Sequence, residues 1–414
     1  MMYKFLTAVS WGLQLILIAY SCYYFGVALF SLRSQKRWAA APPRKKIAVV
    51  VAARNEQEVI GQLVETLQRQ NYPKELYQVI VAPNNCTDDT RLVAQQAGAR
   101  IYDCTLPVRS KGDVLRQVFR TLLKEDWDAI CIFDADNLVH PDFLQQMNNA
   151  LCQGARVAQG YRDSKNPHDS WVSGCYSIYY WMVNRLYSRS RSALGLSAII
   201  NGSGFMVSTS LLREMKGWRT YTMTEDIEFS TQCILRGVRV EWVPQAITYD
   251  EQPLSFAQSW KQRKRWSTGL LQGFVRYFVP LTRTFLRERR AVCLDQMLFF
   301  LAPFMQMMYV VSLLLGFQLN LLAVQQGLFS EGILWGRLLL SLNISFVIGT
   351  ALAVAVVIAE GKSSLKMLKG TMGYWLFITS WIPINLLCLF KRCTSWEEIR
   401  HTRKLKLSDI SLLR

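Results

Sequence analysis

Ala129-Ile130-Cys131-Ile132-Phe133-Asp134-Ala135-Asp136 is the stretch on which the fold turns. An apolar run stops abruptly at two carboxylates one residue apart. So short a run, with polar residues only at its end, predicts a strand buried on both faces, as in a parallel sheet. Working outward, Ile47 to Ala53 is a second such run, and Leu76 to Ala82 and Ala99 to Asp103 are two more. Between them, helical patterns run from Glu56 to about Arg69, from Asp88 to Ala97 and from Asp113 to Lys124. Strand and helix alternate, so the chain is read as α/β, with a mostly parallel sheet and helices on both faces. In such sheets ligands bind at the carboxyl ends of the strands. Arg54-Asn55-Glu56, Asn84-Asn85 and Asp134-Ala135-Asp136 fall there.

The flanks of this domain, placed at 44–253, are of another kind. Phe5 to Leu32 carries no charge, and at 1.5 Å per residue it is long enough for the roughly 30 Å of bilayer hydrocarbon. Residues 1–33 are therefore read as a membrane helix. The basic residues Arg33, Lys36, Arg37, Arg44, Lys45 and Lys46 that follow place the domain in the cytosol. Two further spans are read within 296–359, at Met297–Val324 and Ile333–Ala359, and a third apolar stretch at Thr371–Phe390 opens the segment 371–414. Basic residues flank that last stretch on both sides, so it is read as an interfacial or re-entrant helix, bent at Pro383. A fourth span with an external tail is the other arrangement. Residues 254–290 mix Trp and Phe with Lys and Arg, as a membrane-surface helix does. The reading is a multi-pass protein of the plasma membrane with a cytosolic catalytic domain.

The formal charge of +18 fits either nucleic acid or a membrane surface with an anionic substrate. The basic residues cluster beside apolar segments and form no nucleic-acid motif, so no nucleic-acid partner is expected. Ten cysteines lie without a CxxC pair, and the three histidines make no HExxH, which argues against a zinc hydrolase.

Three motifs carry chemistry. Asp134 and Asp136 suit a divalent cation bridging phosphate oxygens, although a DxD is also met in solvated turns. Thr224-Glu225-Asp226 stands before a helical stretch, where Thr as a cap and two acids at the positive dipole end are an ordinary explanation. Gln262-Arg263-Lys264-Arg265-Trp266 reads either as surface helix or as an amide, a phosphate-binding guanidinium and an indole for stacking on sugar.

In this order, the set resembles family 2 inverting glycosyltransferases of the cellulose, chitin, hyaluronan and poly-N-acetylglucosamine synthase type, whose signature is D, DxD, (T)ED and QxxRW. The resemblance runs from about Ile47 to Trp266. It implies a GT-A nucleotide-sugar-binding domain flanked by transmembrane helices, and a divalent cation, Mg²⁺ or Mn²⁺. By resemblance Asp136 holds the metal, with Asp134 against both metal and nucleotide. Asp226 is the catalytic base, supported by Glu225. Gln262 and Trp266 hold the acceptor sugar, and Arg265 the diphosphate. Ala53, Arg54 and Glu56 match the loop around the uracil. Asn84 stands where the family has an acid, and its amide oxygen can still accept from uracil N3–H, so UDP is the expected nucleotide. Arg109 and Lys111 match a basic donor loop, for which an ordinary turn is the alternative. Gly202 and Ser203 match the turn that meets the acceptor. In bacterial cellulose synthase a gating loop follows an interfacial helix, and His401, Thr402 and Arg403 stand in the matching place.

The leading expectation is a processive β-polysaccharide synthase that uses a UDP-sugar and exports its polymer, alone, as a homo-oligomer or with a secretion partner. The alternative is a glycolipid synthase with a membrane lipid as acceptor, as ceramide glucosyltransferases are. A non-enzymatic transporter or receptor ranks below both. The sequence leaves the sugar, the linkage and the product length open.

Overall fold

The computed structural model describes residues 2–35, 37–328, 330–390 and 403–409. A long helix, α1 (Met2–Leu29), leads through a basic connection to β1 (Ile47–Ala53), α2 (Ile60–Gln68), β2 (Tyr77–Pro83), α3 (Thr90–Gln96) and β3 (Arg100–Ile101). Next come α4 (Lys111–Leu122), β4 (Ala129–Asp134), β5 (Leu138–Val139), α5 (Phe143–Cys152), β6 (Val157–Ser164) and α6 (Trp171–Met182). A π-helical stretch, Val183–Arg189, joins α6 to α7 (Ser190–Ala193). The domain closes with β7 (Phe205–Ser208), α8 (Thr209–Glu214), α9 (Glu225–Leu235) and β8 (Glu241–Asp250).

The eight strands form one sheet in the order β3-β2-β1-β4-β7-β6-β8-β5. From β3 to β4 all neighbours are parallel, as the apolar runs predict. Beyond β4 the sheet is mixed, because β7 runs antiparallel to both β4 and β6 and β5 runs antiparallel to β8. β1 shows why its sequence is apolar throughout. Ile47, Val49 and Val51 enter the core on one face, with Leu63 and Leu144. Ala48 and Val50 enter the core on the other, with Leu115 and Phe229. Each fully buried Val contributes about 1.5–3 kcal/mol, so a charge at Val50 would be ruinous.

The remaining helices are α10 (Phe256–Glu288), α11 (Ala291–Gln325), α12 (Glu331–Ala359), α13 (Leu368–Thr379) and α14 (Trp381–Phe390). Among the described residues, four segments are long and apolar enough to cross a membrane: Tyr3–Leu32, Ala291–Gln325, Glu331–Ala359 and Leu368–Phe390. The last is broken at Ser380, and Pro383 sits inside the first turn of α14 rather than at the break. A first turn needs no N–H from that position, which is why proline is tolerated there.

Polar contacts fasten these helices to the sheet domain. Arg191 of α7 donates twice to Asp295 of α11, both bonds at 2.8 Å and both side chains buried. Tyr23 of α1 reaches the same carboxylate at 2.7 Å. Helices α6 and α13 meet backbone to backbone: a Cβ on Gly174 would lie 2.9 Å from the Cα of Gly370. Arg263 is completely buried and donates from Nη1 to the Phe377 carbonyl and to Ser380 Oγ, each at 2.7 Å, at the break between α13 and α14.

Candidate active site at the carboxyl ends of the strands

Two left-handed asparagines shape the loops after β1 and β2. Asn55 (φ 55°) and Asn85 (φ 48°) adopt a conformation that Asn tolerates far better than most residues. Asn55 Oδ1 accepts from Thr87 N at 2.8 Å, which ties the two loops together. Asn84 Nδ2 donates to the Ala53 carbonyl at 2.9 Å, so its Oδ1 is the acceptor left over. Glu56 N donates to Thr90 Oγ1 at 2.8 Å, which closes the loop onto α3. Ala53 is buried beneath these contacts. Arg54 lies in the same loop.

β4 delivers Asp134 to the centre of the sheet edge. Lys111 is the first residue of α4, capped by Ser110, whose Oγ accepts from Asp113 N at 3.2 Å. The Lys111–Gly112 step is thus a helix start and not a free turn. From there Lys111 Nζ reaches Asp134 Oδ1 at 2.5 Å and the Gly202 carbonyl at 2.7 Å. Burial works to push the Asp134 carboxyl up, but Lys111, then Arg162 and Arg265, outweigh it and hold the group below the usual carboxylate range. Arg109, two residues before Lys111, is exposed.

Asp136 is buried, and its Oδ2 accepts from Glu251 N at 2.9 Å. Fully buried Lys165 stands within the field of Asp136, Glu251 and Glu56, and burial lowers its pKa. Among the described residues no group of three His, Cys, Asp or Glu could hold a metal alone. Asp134 Oδ2 and Asp136 Oδ1 nevertheless have no hydrogen-bond partner among the described residues, and two carboxylates completed by phosphate oxygens are an ordinary Mg²⁺ donor set. The residues fit a divalent cation that arrives with a diphosphate.

The turn before β7 forms the floor. Gly202 has φ +92°, and a Cβ on it would lie 3.5 Å from Asp226 Oδ2 and 3.8 Å from Asp134 Oδ2. Glycine here keeps the space between the two carboxylates open. Ser203 is buried: its Oγ donates to Asn137 Oδ1 and accepts from Asp134 N at 2.9 Å. It is thus a strut for the turn, not a group facing an acceptor. Arg162 of β6 donates to the Asn201 carbonyl and to Asp250, and its guanidinium lies 4.2 Å over the Tyr180 ring. Asn184 clamps the Arg162 backbone, donating to its carbonyl at 2.8 Å.

Asp226 opens α9. Its Oδ1 accepts from Ile227 N at 2.8 Å. Burial first, and then the Glu225 charge, push its carboxyl up to about 7, against the pull of Lys111. Thr224 occupies the cap position, yet its hydroxyl makes no capping bond. Gly269 of α10 presses on it instead, where any Cβ would come within 2.4 Å of Thr224 Oγ1. Glu228 holds the preceding loop from behind, with Oε2 accepting from Tyr221 N at 2.6 Å and Thr222 N at 2.7 Å.

The Gln262–Trp266 segment divides into two uses. Arg263 points away from the sheet edge and pins α13. Arg265 has no carboxylate ion pair among the described residues and acts on Asp134 through its charge. Gln262 Oε1 is buried without a partner among the described residues. Trp266, half-buried, stacks with Tyr179 at 6.2 Å and with Trp381 at 6.1 Å between ring centroids. Tyr179 and Tyr180 both feel the Asp226 charge. Sequence reading missed Arg162, Tyr179 and Tyr180, since they belong to no motif; only the aromatic density of 176–187 hinted at the two tyrosines.

His401 and Thr402 lie outside the described residues. Arg403 N donates to Glu251 Oε2 at 3.0 Å, and Arg403 Nη2 donates to Asp169 Oδ1 at 3.2 Å. Lys404 pairs with Glu58, and Leu405 and Leu407 pack on Leu138 and Tyr249. Residues 403–409 thus cross the sheet edge beside Asp136, one backbone contact away through Glu251.

Known proteins share this sequence pattern and this fold. Over 277 residues the chain is 25% identical to a probable glycosyltransferase, YdaM, of Bacillus subtilis, covering 63% of each chain. It is 26% identical over 269 residues to the beta-monoglucosyldiacylglycerol synthase of a Nostoc species, covering 62% of this chain and 55% of that one. A poly-beta-1,6-N-acetyl-D-glucosamine synthase of Staphylococcus aureus is 24% identical over 242 residues, 58% of each chain. The chain therefore matches less than two-thirds of the length of these relatives. A Pyrobaculum calidifontis mannosyltransferase, solved with GDP-Man and Mn²⁺, has the same fold: TM-score 0.58 at 19% identity, over 90% of this chain and 99% of that one. Residues 42–269 match the family model described as glycosyltransferase like family 2. That match takes in the sheet, all three motifs and more than half of the sequence, and the chain belongs to glycosyltransferase family 2.

Proposed function

We propose that the protein transfers a sugar from a UDP-sugar to an acceptor hydroxyl with inversion, and that it is a processive β-polysaccharide synthase of the membrane. The observation that carries the proposal is the open floor at Gly202, with Asp226 on one side and the Lys111–Asp134 pair on the other. A carboxyl with a pKa of about 7 is matched to taking a hydroxyl proton at neutral pH. Asp226 accepts that proton, the acceptor oxygen bonds to C1, and the C1–O bond to the diphosphate breaks. Lys111 and Arg265 face the side on which negative charge gathers. Asp136, with Asp134, would hold the divalent cation, which supplies further neutralisation of the diphosphate when bound. Asn84 Oδ1 would accept from the uracil, within the loop of Ala53, Arg54 and Glu56. Trp266 and Gln262 would position the acceptor, with Tyr179 and Trp381 extending the aromatic surface toward α14. The seat of α13 on α6 supports an interfacial placement for 368–390, which leaves three spans and keeps both the domain and the tail in the cytosol.

Relatives of both product types occur at similar identity, so a lipid acceptor is the second reading. The test is purified full-length protein in nanodiscs with UDP-glucose or UDP-N-acetylglucosamine and Mg²⁺ or Mn²⁺. UDP release with lengthening chains supports the polymer. A lipid product of one fixed mass supports the second reading. No UDP release with any donor, and Asp226→Asn indistinguishable from wild type, overturns both.

A further inference from the structure

Behind β6, on the face away from the catalytic floor, lies a cavity of about 420 Å³. Strand alternation makes it: Arg162 faces Asp134, while its neighbours Tyr161 and Asp163 line the cavity. Its outer wall is a bulge in β8, where the register with β6 jumps from Val243 to Ile247.

The hydrogen-bond inventory of the cavity is one-sided. Both oxygens of each acid are engaged. Asp163 accepts from Lys362 Nζ at 2.8 Å and Trp181 Nε1 at 2.8 Å. Glu360 accepts from Arg185 Nε at 2.6 Å and Tyr161 OH at 2.5 Å. What is left over are donors. Trp242 is 2% exposed, and its indole N–H has no partner among the described residues. Arg189 has no carboxylate partner there either; its Nε is buried unpaired, and its Nη2 reaches only the Arg33 carbonyl at 2.9 Å. Three cations against two anions leave one positive charge, on Arg189. An unpaired buried donor costs about 1–3 kcal/mol, so the site is completed by an acceptor that carries negative charge. Arg holds carboxylate and phosphate oxygens alike, and where membrane helices end the abundant anion is a phosphate ester.

The position of the cavity says where that phosphate comes from. One rim is Gln35, three residues beyond the candidate span Tyr3–Leu32. The other is Glu360-Gly361-Lys362, directly after the candidate span Glu331–Ala359. Two membrane-length helices thus end at its mouth. We propose that this cavity binds a phosphate ester, supplied by the headgroup of an anionic phospholipid, with Arg189 and Trp242 as its donors. The proposal is independent of the transfer reaction.

Native mass spectrometry of the full-length protein in detergent tests it with three probes: phosphatidylglycerol, phosphatidylcholine and glycerol 1-phosphate. Phosphatidylglycerol should be retained about tenfold more than phosphatidylcholine, and Arg189→Gln should remove that preference. Trp242→Phe keeps the packing, removes one N–H and should lower retention about fivefold; it guards against misfolding of the arginine variant. Equal retention of phosphatidylglycerol by wild type and both variants overturns the proposal. Binding of glycerol 1-phosphate, sensitive to Arg189→Gln and without lipid preference, keeps the phosphate site but overturns its lipid source.

Discussion

Replacing Asp226 with an asparagine separates the chemistry of that carboxyl from its energetics. Folding moves its pKa from the ordinary 3.8 up to about 7. At 1.36 kcal/mol per unit, the ionised carboxylate then costs the folded protein about 4 kcal/mol at pH 8 relative to the unfolded chain. Hydration of this partly exposed group makes that an upper figure. The sign follows from linkage. A raised carboxyl is stable in the fold while protonated, so its contribution is fully present below pH 3.8. It is lost as pH rises toward and through 7. The amide of the variant does not ionise, so Asp226→Asn should gain stability over wild type progressively between pH 4 and pH 7 and then level off. For a domain of this size the plateau corresponds to roughly 10 °C in Tm. The assay is thermal unfolding of the purified protein from pH 4 to pH 8, with sugar transfer measured in parallel. Transfer should fall by about 10²–10⁴. A variant no more stable than wild type at pH 8, or equally stabilised at every pH, would refute the reasoning.

Three further outcomes are expected. Lys111→Met removes the cation from Asp134, and the KM for the nucleotide-sugar should rise about tenfold or more in steady-state kinetics, since a charge-assisted contact of this kind is worth about 1.5–3 kcal/mol. Gly202→Ala places a methyl 3.5 Å from Asp226 Oδ2 at φ +92°; strain of about 1–2 kcal/mol should appear as a lower Tm, with transfer falling further than the stability loss explains. Arg403→Ala releases the contact with Asp169, and as part of a proposed gating segment it should lower turnover while leaving membrane insertion, followed by fractionation, unchanged.

Much of this architecture was legible in residue pattern, and the physical reason differs by region. β1, β2 and β4 are buried on both faces, so their apolar runs stand out from the helices around them. The strands beyond β4 are harder. β6 carries Arg162 and Asp163 in its second half, and β8 contains Pro244, so neither reads as a buried run. The motifs named Asp134, Asp226 and Lys111, which the fold brings around one glycine. They could not show that Arg263 serves α13 rather than a ligand, because a buried guanidinium and a substrate-facing one look alike in sequence. Thr224 misled for a similar reason: the cap position was right, and Gly269 decides what its hydroxyl meets. Arg162 gave no signal and Tyr180 only that of a dense aromatic run, since their importance comes from tertiary neighbours.

The contact between Gly174 and Gly370 carries a mechanical consequence. With a Cβ-free seam of this kind, α13 and the sheet domain share one backbone spacing, and Gly373 closes on the Trp171 ring a turn further along. Two bodies joined so closely cannot rock against each other without opening a void. The spacing of α13 from α6, the helix that carries Tyr179 and Tyr180, is therefore set by backbone contact, so the aromatic surface and α13 move as one piece.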